Sequence, residues 1–110
     1  MDVTMEGLQA YLADHYSWCS NDQGLFMKLV EEMGEVAEVL NKRTGRKASD
    51  ETDLQEQLGM ELADMIHYIV AIAGVNNIDL SEIIIRKDKA AALKYHHKTD
   101  LETFLRNREP

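Results

Sequence analysis

The chain has 110 residues, of which 45% are apolar, and a formal net charge of −8 at pH 7. This length supports one domain with its own core, and the excess of twenty acidic over twelve basic residues disfavours nucleic acid or an anionic membrane as a partner. A single proline and only six glycines exclude an all-β sandwich, because that fold needs turn signals every ~8–12 residues.

Apolar spacing predicts two helices in the first part of the chain, over residues 4–16 and from about 23 to 42. The loop between them ends in Asn21 and Asp22, which favour N-cap positions. One side of the first helix carries Leu8, Tyr11, Leu12 and His15. The apolar stripe of the second helix, at spacings of four, four, three and four, is Leu25, Leu29, Met33, Val36 and Leu40.

A third helix is predicted from about residue 50 to residue 74, after a polar connection in which Gly45 suits a helix C′ position. Beyond Asp64 it is apolar nearly all round, which indicates a central helix or one that packs against a second subunit. Its apolar stripe is Leu54, Leu58, Leu62, Met65, Ile69 and Ile72. After Asp64, apolar residues also occupy the other faces of this helix: Ile66, Val70, Ala71 and Ala73.

The last part of the chain predicts a fourth helix and a short terminal one. Residues 79–82 resemble a capping box, so we expect the fourth helix over about 79–96 and the terminal helix from about Thr99. The expected fold is all-α: a four-helix-bundle-like core with a short C-terminal helix, in one domain over 1–110. The helices are expected to contribute to a homo-oligomeric bundle.

Cysteine usage and the absence of targeting patterns predict a soluble cytoplasmic protein. Cys19 has no internal disulfide partner, which fits a reducing compartment. The first six residues contain no basic side chain and no apolar stretch, unlike a signal peptide. The most apolar run, residues 65–75, is shorter than the ~20 residues that a bilayer requires.

The second and third predicted helices each carry two acidic residues three positions apart: Glu32 and Glu35, then Glu61 and Asp64. Residues three apart share a helix face, and each pair borders the apolar stripe of its own helix. If the helices pack antiparallel, the four carboxylates converge at the edge of the core. A cation is the simplest compensation for that repulsion.

An all-oxygen ligand set without cysteine or paired histidine selects Mg²⁺ or Mn²⁺ over Zn²⁺. Four carboxylates exceed what one Mg²⁺ normally takes from protein, which is consistent with two ions. Such ions hold a polyphosphate and lower the pKa of an attacking water. Acidic pairs are also common on solvated helix faces, so the residues alone leave both interpretations open.

The stretch from Lys28 to Glu38 (KLVEEMGEVAE), followed by residues 61–64 (ELAD), closely resembles the MazG-like nucleoside triphosphate pyrophosphohydrolases. That all-α superfamily has the signature EExxE and then ExxD on adjacent helices, and the resemblance covers about residues 24–94. It implies Mg²⁺-dependent hydrolysis of a (d)NTP to (d)NMP and pyrophosphate, with house-cleaning of non-canonical nucleotides as one role. The apolar surface of the third helix, which one chain of this length would not cover, separately predicts a homodimer or homotetramer. Mn²⁺ would substitute for Mg²⁺.

The resemblance also assigns residues. The metal ligands, which are catalytic too, would be Glu32, Glu35, Glu61 and Asp64. Glu31 matches the first Glu of the signature and would support the metal site or activate water. The substrate-binding candidates are Lys28, Tyr68, Trp18 and Lys87.

Each substrate-binding candidate has a structural alternative. Tyr68, one turn after Asp64, either contacts the nucleotide or packs in the core. Lys28 either binds phosphate or forms a surface ion pair with Glu31 or Glu32. Trp18 either stacks on a base or simply packs, and Lys87 is either near the substrate or merely solvated.

Two further groups also have more than one interpretation. His67 on the apolar third helix is expected in the core or an interface, not as a ligand. The basic residues around the end of the second helix either meet a triphosphate or complement the helix dipole. They are Lys42, Arg43, Arg46 and Lys47.

Three alternatives to the leading function remain. One is a non-catalytic metal-binding helical adaptor or regulatory module, and another is an ordinary helical interaction protein whose carboxylates are only surface. Within the superfamily, a phosphoribosyl-ATP pyrophosphohydrolase is disfavoured because the order here is His67-Tyr68, whereas Tyr then His is usual there. The chain also lacks the duplicated arrangement of two-domain MazG proteins.

Overall fold

The computed structural model describes residues 1–19, 21–45 and 53–109, and within them every regular element is an α helix. The all-α prediction is confirmed. The predicted start of the third helix at residue 50 lies outside the described residues, as do Arg46 and Lys47. The five helices are α1 Met5–His15, α2 Asp22–Arg43, α3 Leu54–Val75, α4 Leu80–Lys94 and α5 Leu101–Arg108.

Each helix begins directly after a side chain that accepts a hydrogen bond from a backbone N–H three residues further on, which satisfies one of the free donors of the first turn. Thr4 and Asp79, expected as first helical residues, are such caps, and Thr99 precedes the cap of α5. The fourth helix ends at Lys94, two residues before the prediction, because His96 has a left-handed φ of 57°. The N-cap residues are Thr4, Asn21, Asp53, Asp79 and Asp100.

Helices α2 and α3 form an antiparallel pair. The side-chain amide of Asn76, after the end of α3, donates to a carboxylate oxygen of Asp22, at the start of α2, at 3.2 Å. Gly45, just beyond α2, has a φ of 80°, which confirms the C′ position expected for it. From the predicted stripes, four side chains are exposed instead of inward: Met33, Leu40, Leu62 and Ile69.

Helix α1 packs across the C-terminal half of α3 and closes the core. That core consists of Leu12, Leu25, Val70 and Ala71. Gly74 permits the close approach, since a Cβ there would lie 3.2 Å from backbone atoms of Ala13. Tyr11 and His15, expected on the inner side of α1, are exposed because α1 is covered by α3 along a narrow strip.

Helices α4 and α5 project from this three-helix core. Helix α4 packs against α1 and α5 and is joined to α1 by Gln9, which donates to the carbonyl of Ile78 and accepts from the N–H of Leu80. The radius of gyration is 17.1 Å, against about 13 Å expected for a compact chain of this length. The accessible surface of 8600 Å² likewise exceeds the roughly 6200 Å² typical of a monomer of this mass.

Helix α3 is long and apolar enough to cross a membrane, with a mean hydropathy of 1.5. It is longer than the apolar run of residues 65–75 on which the sequence-based expectation rested. Core helices of soluble proteins meet the same criterion. Glu61 and Asp64 lie within it, and charged side chains in the hydrocarbon region are costly. The composition of this one helix is therefore weak evidence for a membrane span.

Candidate active site

Three of the predicted carboxylates meet where α2 and α3 face each other. Glu32 of α2 and Glu61 and Asp64 of α3 each place one carboxylate oxygen within 4.8 Å of the others. The antiparallel packing brings Glu32 opposite the acidic turn of α3. Glu32 and Glu61 are half-buried, whereas Asp64 is exposed, so the group opens to solvent on one side.

The ionised form of Glu32 is disfavoured in this group. Partial burial raises the pKa of Glu32, and a side-chain hydrogen bond with Glu61 raises it further. The negative charges of Asp64, Glu61 and Glu35 act in the same direction. Because the ionised form of Glu32 is disfavoured by these neighbours, a cation bound among the carboxylates would relieve the repulsion.

The donor set fits Mg²⁺ or Mn²⁺. It offers three carboxylate oxygens with no sulfur or nitrogen donor among them, which suits a hard cation. Around one octahedral Mg²⁺, opposite oxygens are about 4.2 Å apart and adjacent oxygens about 2.9 Å apart, so the three carboxylates, now within 4.8 Å, would draw closer together on binding the ion. The open side leaves room for water and a phosphate oxygen.

No basic side chain neutralises this group within the described part of the chain. The nearest candidate in sequence, Lys28, forms an ion pair with Glu31 at 3.4 Å, and both side chains are well exposed. The surface ion pair considered for Lys28 is therefore present. Neither Glu32, Glu61 nor Asp64 pairs with a lysine or arginine in residues 1–19, 21–45 and 53–109.

Glu35, the fourth predicted ligand, is not one of the three converging residues. It is exposed on α2, one turn beyond Glu32, and its charge contributes to the raised pKa of Glu32. Glu31 is exposed as well and faces Lys28. Both remain predicted members of the site.

An aromatic group lies along α3 beyond the carboxylates. Tyr68 is half-buried and packs against the core, which is the structural alternative considered for it. The preceding residue, His67, shares a 2.8 Å hydrogen bond between its Nε2 and the hydroxyl of Tyr16. Burial raises the pKa of the Tyr16 hydroxyl, and the tautomer of His67 decides which of the two groups donates. Trp18 is 77% exposed, with its ring centroid 6.3 Å from that of Tyr16.

Tyr16 was not among the residues singled out from the sequence. The available signal was the density of aromatic and imidazole rings before α2, because Tyr11, His15 and Trp18 surround it along the chain. Its partner His67 lies 51 positions away, and pattern alone does not pair residues over that separation.

The lysines of α4 are not brought to the carboxylates within one chain. Lys87 is exposed on a helix that packs mainly against α1 and α5. Lys89 binds Glu102 at 2.6 Å, and Lys94 lies over the ring of Tyr95 at 5.3 Å from its centroid. Lys87 as a substrate residue therefore stays a prediction.

Comparison with known proteins agrees with this geometry. A family model described as the MazG nucleotide pyrophosphohydrolase domain matches residues 21–92, which include all of α2 and α3. The uncharacterized protein YpjD of Bacillus subtilis (strain 168) is 28% identical over 85 residues, covering 74% of this chain and 77% of that protein. Since the family model spans more than half of the chain and includes the helices that bring the three carboxylates together, the chain belongs to the MazG nucleotide pyrophosphohydrolase domain family.

Proposed function

We propose that this protein is a Mg²⁺-dependent pyrophosphohydrolase that converts a (d)NTP and water to a (d)NMP and pyrophosphate. The observation that carries the proposal is the convergence of Glu32, Glu61 and Asp64 inside the range matched by the family, with no basic partner among the residues that the structure describes. Converging carboxylates that raise the pKa of one member, Glu32, are unfavourable in a purely structural role and are typical of functional sites.

The carboxylates would hold the metal, with Glu35 as the fourth ligand. When bound, Mg²⁺ supplies positive charge to the polyphosphate and lowers the pKa of an attacking water. Glu32 would act as a carboxylate ligand, since a bound cation favours the ionised form that its neighbours disfavour. Glu31, next to this group, would position that water or accept its proton, releasing Lys28 from the ion pair to contact phosphate.

The nucleoside would lie along the aromatic group. The exposed ring of Trp18 offers a stacking surface for a base, and Tyr68 lies one turn beyond Asp64. Lys87 would approach the phosphates only through movement of α4 or from another copy of the chain. We assign the substrate class as (d)NTPs, including non-canonical ones, and leave base and sugar to experiment.

The working form would be a cytoplasmic homodimer or homotetramer of one MazG-like domain over residues 1–110. The large radius of gyration and accessible surface of the single chain support association.

A nucleotide panel with a pyrophosphate readout tests the function. We expect pyrophosphate release from at least one (d)NTP in Mg²⁺ and none in EDTA, with phosphoribosyl-ATP included in the panel to test the alternative within the superfamily. Metal-dependent stabilisation without pyrophosphate release from any nucleotide would instead assign a non-catalytic metal-binding module. Release that persists unchanged in EDTA would contradict the metal site.

A further inference from the structure

The turn of residues 16–19, which we call the Trp18 turn, follows α1 and holds an indole ring out toward solvent. Trp18 is 77% exposed, although its side chain is the largest that a core can use. The backbone N–H of Cys19 donates to the carbonyl of Tyr16 at 2.8 Å, and both of these residues pack against the core. Because the backbone of the turn is anchored while the ring is exposed, the indole is available to stack on a planar ligand.

A series of ring contacts connects the Trp18 turn to α3. The ring centroid of Tyr16 lies 6.3 Å from that of Trp18 and 5.7 Å from that of His67. His67 in turn contacts Tyr68, with 4.9 Å between their centroids. The contact between Tyr16 and His67 includes a 2.8 Å hydrogen bond from oxygen to Nε2. A hydrogen bond is directional, so it fixes the position of the Tyr16 ring more narrowly than the ring contacts alone would.

This hydrogen bond lies about one helical turn from the carboxylates. His67 and Tyr68 follow Asp64 by three and four positions, so their side chains leave α3 one turn beyond it and on either side of its direction. Asp64 is the exposed member of the three converging carboxylates. A nucleotide whose phosphates are held at Asp64 therefore has the rings of α3 and of the Trp18 turn within reach of its nucleoside.

The hydrogen bond between Tyr16 and His67 is suited to holding one geometry. Both residues are half-buried, so a hydroxyl or imidazole that lost its partner would not fully regain water. A phenol both donates and accepts, which allows the bond with either tautomer of His67 and with its protonated form. Breaking such a bond changes an equilibrium constant by about fivefold, which is large enough to measure.

We propose that Tyr16 and His67 are a positioning pair, whose hydrogen bond fixes the Trp18 turn against α3 beside Tyr68 and thereby sets the affinity for the nucleoside part of the substrate. The inference rests on the proposed function for the class of ligand, a nucleoside triphosphate. The pair acts through the rings that it places and not on the reacting phosphate. Loss of the hydrogen bond should therefore weaken the binding of a nucleotide but not that of a phosphate chain alone.

Two probes separate these contributions in the presence of Mg²⁺. The first is the set of α,β-imido analogues of the common (d)NTPs, which resist cleavage, and the second is inorganic tripolyphosphate, which has no nucleoside. Calorimetry gives both affinities. Trp18 is the only tryptophan of the chain, so quenching of the intrinsic tryptophan fluorescence reports stacking at this turn. An analogue that binds no more tightly than tripolyphosphate, or that leaves Trp18 emission unchanged, would overturn the inference.

Conservative variants test the hydrogen bond itself. Tyr16→Phe keeps the ring and should raise the Kd of the tightest analogue at least about fivefold, while the Kd of tripolyphosphate stays within about twofold of wild type. Tyr11→Phe is the matched control, because it removes the same hydroxyl from an α1 ring that is 63% exposed, and it should bind as wild type does. His67→Leu should match Tyr16→Phe, and the double variant should be no weaker than either, since one bond is lost in all three.

Replacement of His67 by two amides covers the case in which Tyr16→Phe or His67→Leu fails to fold. The amide of His67→Gln reaches the place of Nε2 and should restore binding of the analogue, whereas His67→Asn is too short and should not. Equal affinities of wild type, Tyr16→Phe and His67→Asn for the analogue would overturn the inference. Equal losses for the analogue and for tripolyphosphate would also overturn it, because they would show a general loss of structure.

The two proposals fail separately. An enzyme that releases pyrophosphate but binds the analogue equally in wild type and Tyr16→Phe would refute only the positioning pair. A protein that releases none, yet loses affinity for the analogue alone in Tyr16→Phe, would refute only the hydrolase. For an active wild type, the effect of Tyr16→Phe should lie in KM and not in kcat.

Discussion

Two groups of carboxylates in this chain have opposite electrostatic environments. At the α2–α3 site, burial and neighbouring carboxylates raise the pKa of Glu32. At the junction of α4 and α5, Glu102 accepts a hydrogen bond from the ammonium of Lys89 at 2.6 Å and pairs with Arg106 at 3.1 Å, which lowers its pKa. The ionised form of a glutamate is therefore disfavoured at Glu32 and favoured at Glu102.

The remaining carboxylates of the junction also have partners within the chain. Asp88 accepts the backbone N–H of Leu101 at 2.6 Å, and Asp100 caps α5 by accepting the N–H of Thr103 at 2.8 Å. The hydrogen bonds from Thr103 lower the pKa of Asp100. The junction thus uses carboxylates to fix structure, whereas the three carboxylates of the α2–α3 site form no ion pair with a basic side chain in the described part of the chain.

The largest expected effect comes from removing one carboxylate of the site. Asp64→Asn should reduce pyrophosphate release by at least about 100-fold, since changes to residues that only support metal ligands already cost 10- to 100-fold. The metal-free variant should be as stable as wild type or more so, because a source of repulsion is gone. Turnover assays and thermal melting in EDTA measure the two effects.

Glu102→Gln at the junction is the matched control for Asp64→Asn. It should lower stability without reducing the rate, because the junction only holds α5 in place. If Asp64→Asn melts markedly lower in EDTA yet keeps both its activity and the full Mg²⁺ stabilisation, Asp64 is structural.

The second largest expected effect is the change in stability on adding metal, which should depend on the α2–α3 carboxylates and not on those of the α4–α5 junction. At a hundredfold excess over Kd, Mg²⁺ should stabilise the folded wild type by about 2.7 kcal/mol, and Asp64→Asn should lose much of that increment. Mn²⁺ should substitute and Zn²⁺ should not, because the site has no soft ligand. Melting with each metal and with EDTA provides the measurement, and Glu102→Gln should retain the wild-type increment.

Part of the α2–α3 site could be predicted from the sequence, and part of it could not. Spacing placed Glu61 and Asp64 one turn apart, and antiparallel packing placed Glu32 opposite them, so the convergence was predictable from helix periodicity. The position of Glu35 was not, because a wheel angle does not decide whether a side chain turns inward or toward solvent. The hydrogen bond between Tyr16 and His67 depends on how α1 crosses α3, which no local pattern encodes.

The helices themselves were predictable because their caps and apolar periods are local signals. The boundaries missed at Thr4 and Asp79 concern whether a capping residue counts as helical, and α5 begins two residues after Thr99 because Asp100 is its cap. The predicted inward-facing stripes of α2 and α3 were wrong for four residues, since these helices carry more apolar residues than one chain can bury. Met33 and Leu62 have the period of a core residue but face outward.

The pH dependence of stability should also distinguish the two groups, and at the α2–α3 site it is set by Glu32. The raised pKa means that folded protein binds more protons than unfolded protein between pH 4.5, the ordinary value, and the raised one. The contribution of Glu32 to metal-free stability therefore falls as pH rises through that window. Glu32→Gln keeps the neutral form, so its stability relative to wild type should rise there and then level off. Melting in metal-free buffer from about pH 4 to about pH 8 checks this, and a pH-independent difference would contradict it.

The smallest effect is expected at the junction, and its pH dependence has the opposite sign. Because the pKa of Glu102 is lowered, its contribution to stability is present above the ordinary value of 4.5 and is lost as pH falls through the lowered one. Wild type should therefore melt above Glu102→Gln near neutral pH, and the two should converge in acid. Added salt should also reduce the difference, since exposed ion pairs are screened. Arg106→Gln removes only one partner of Glu102 and should cause a smaller loss with the same trend. A difference that persists unchanged in acid and in high salt would mean that Glu102 stabilises α5 through packing of its side chain, not through its charge.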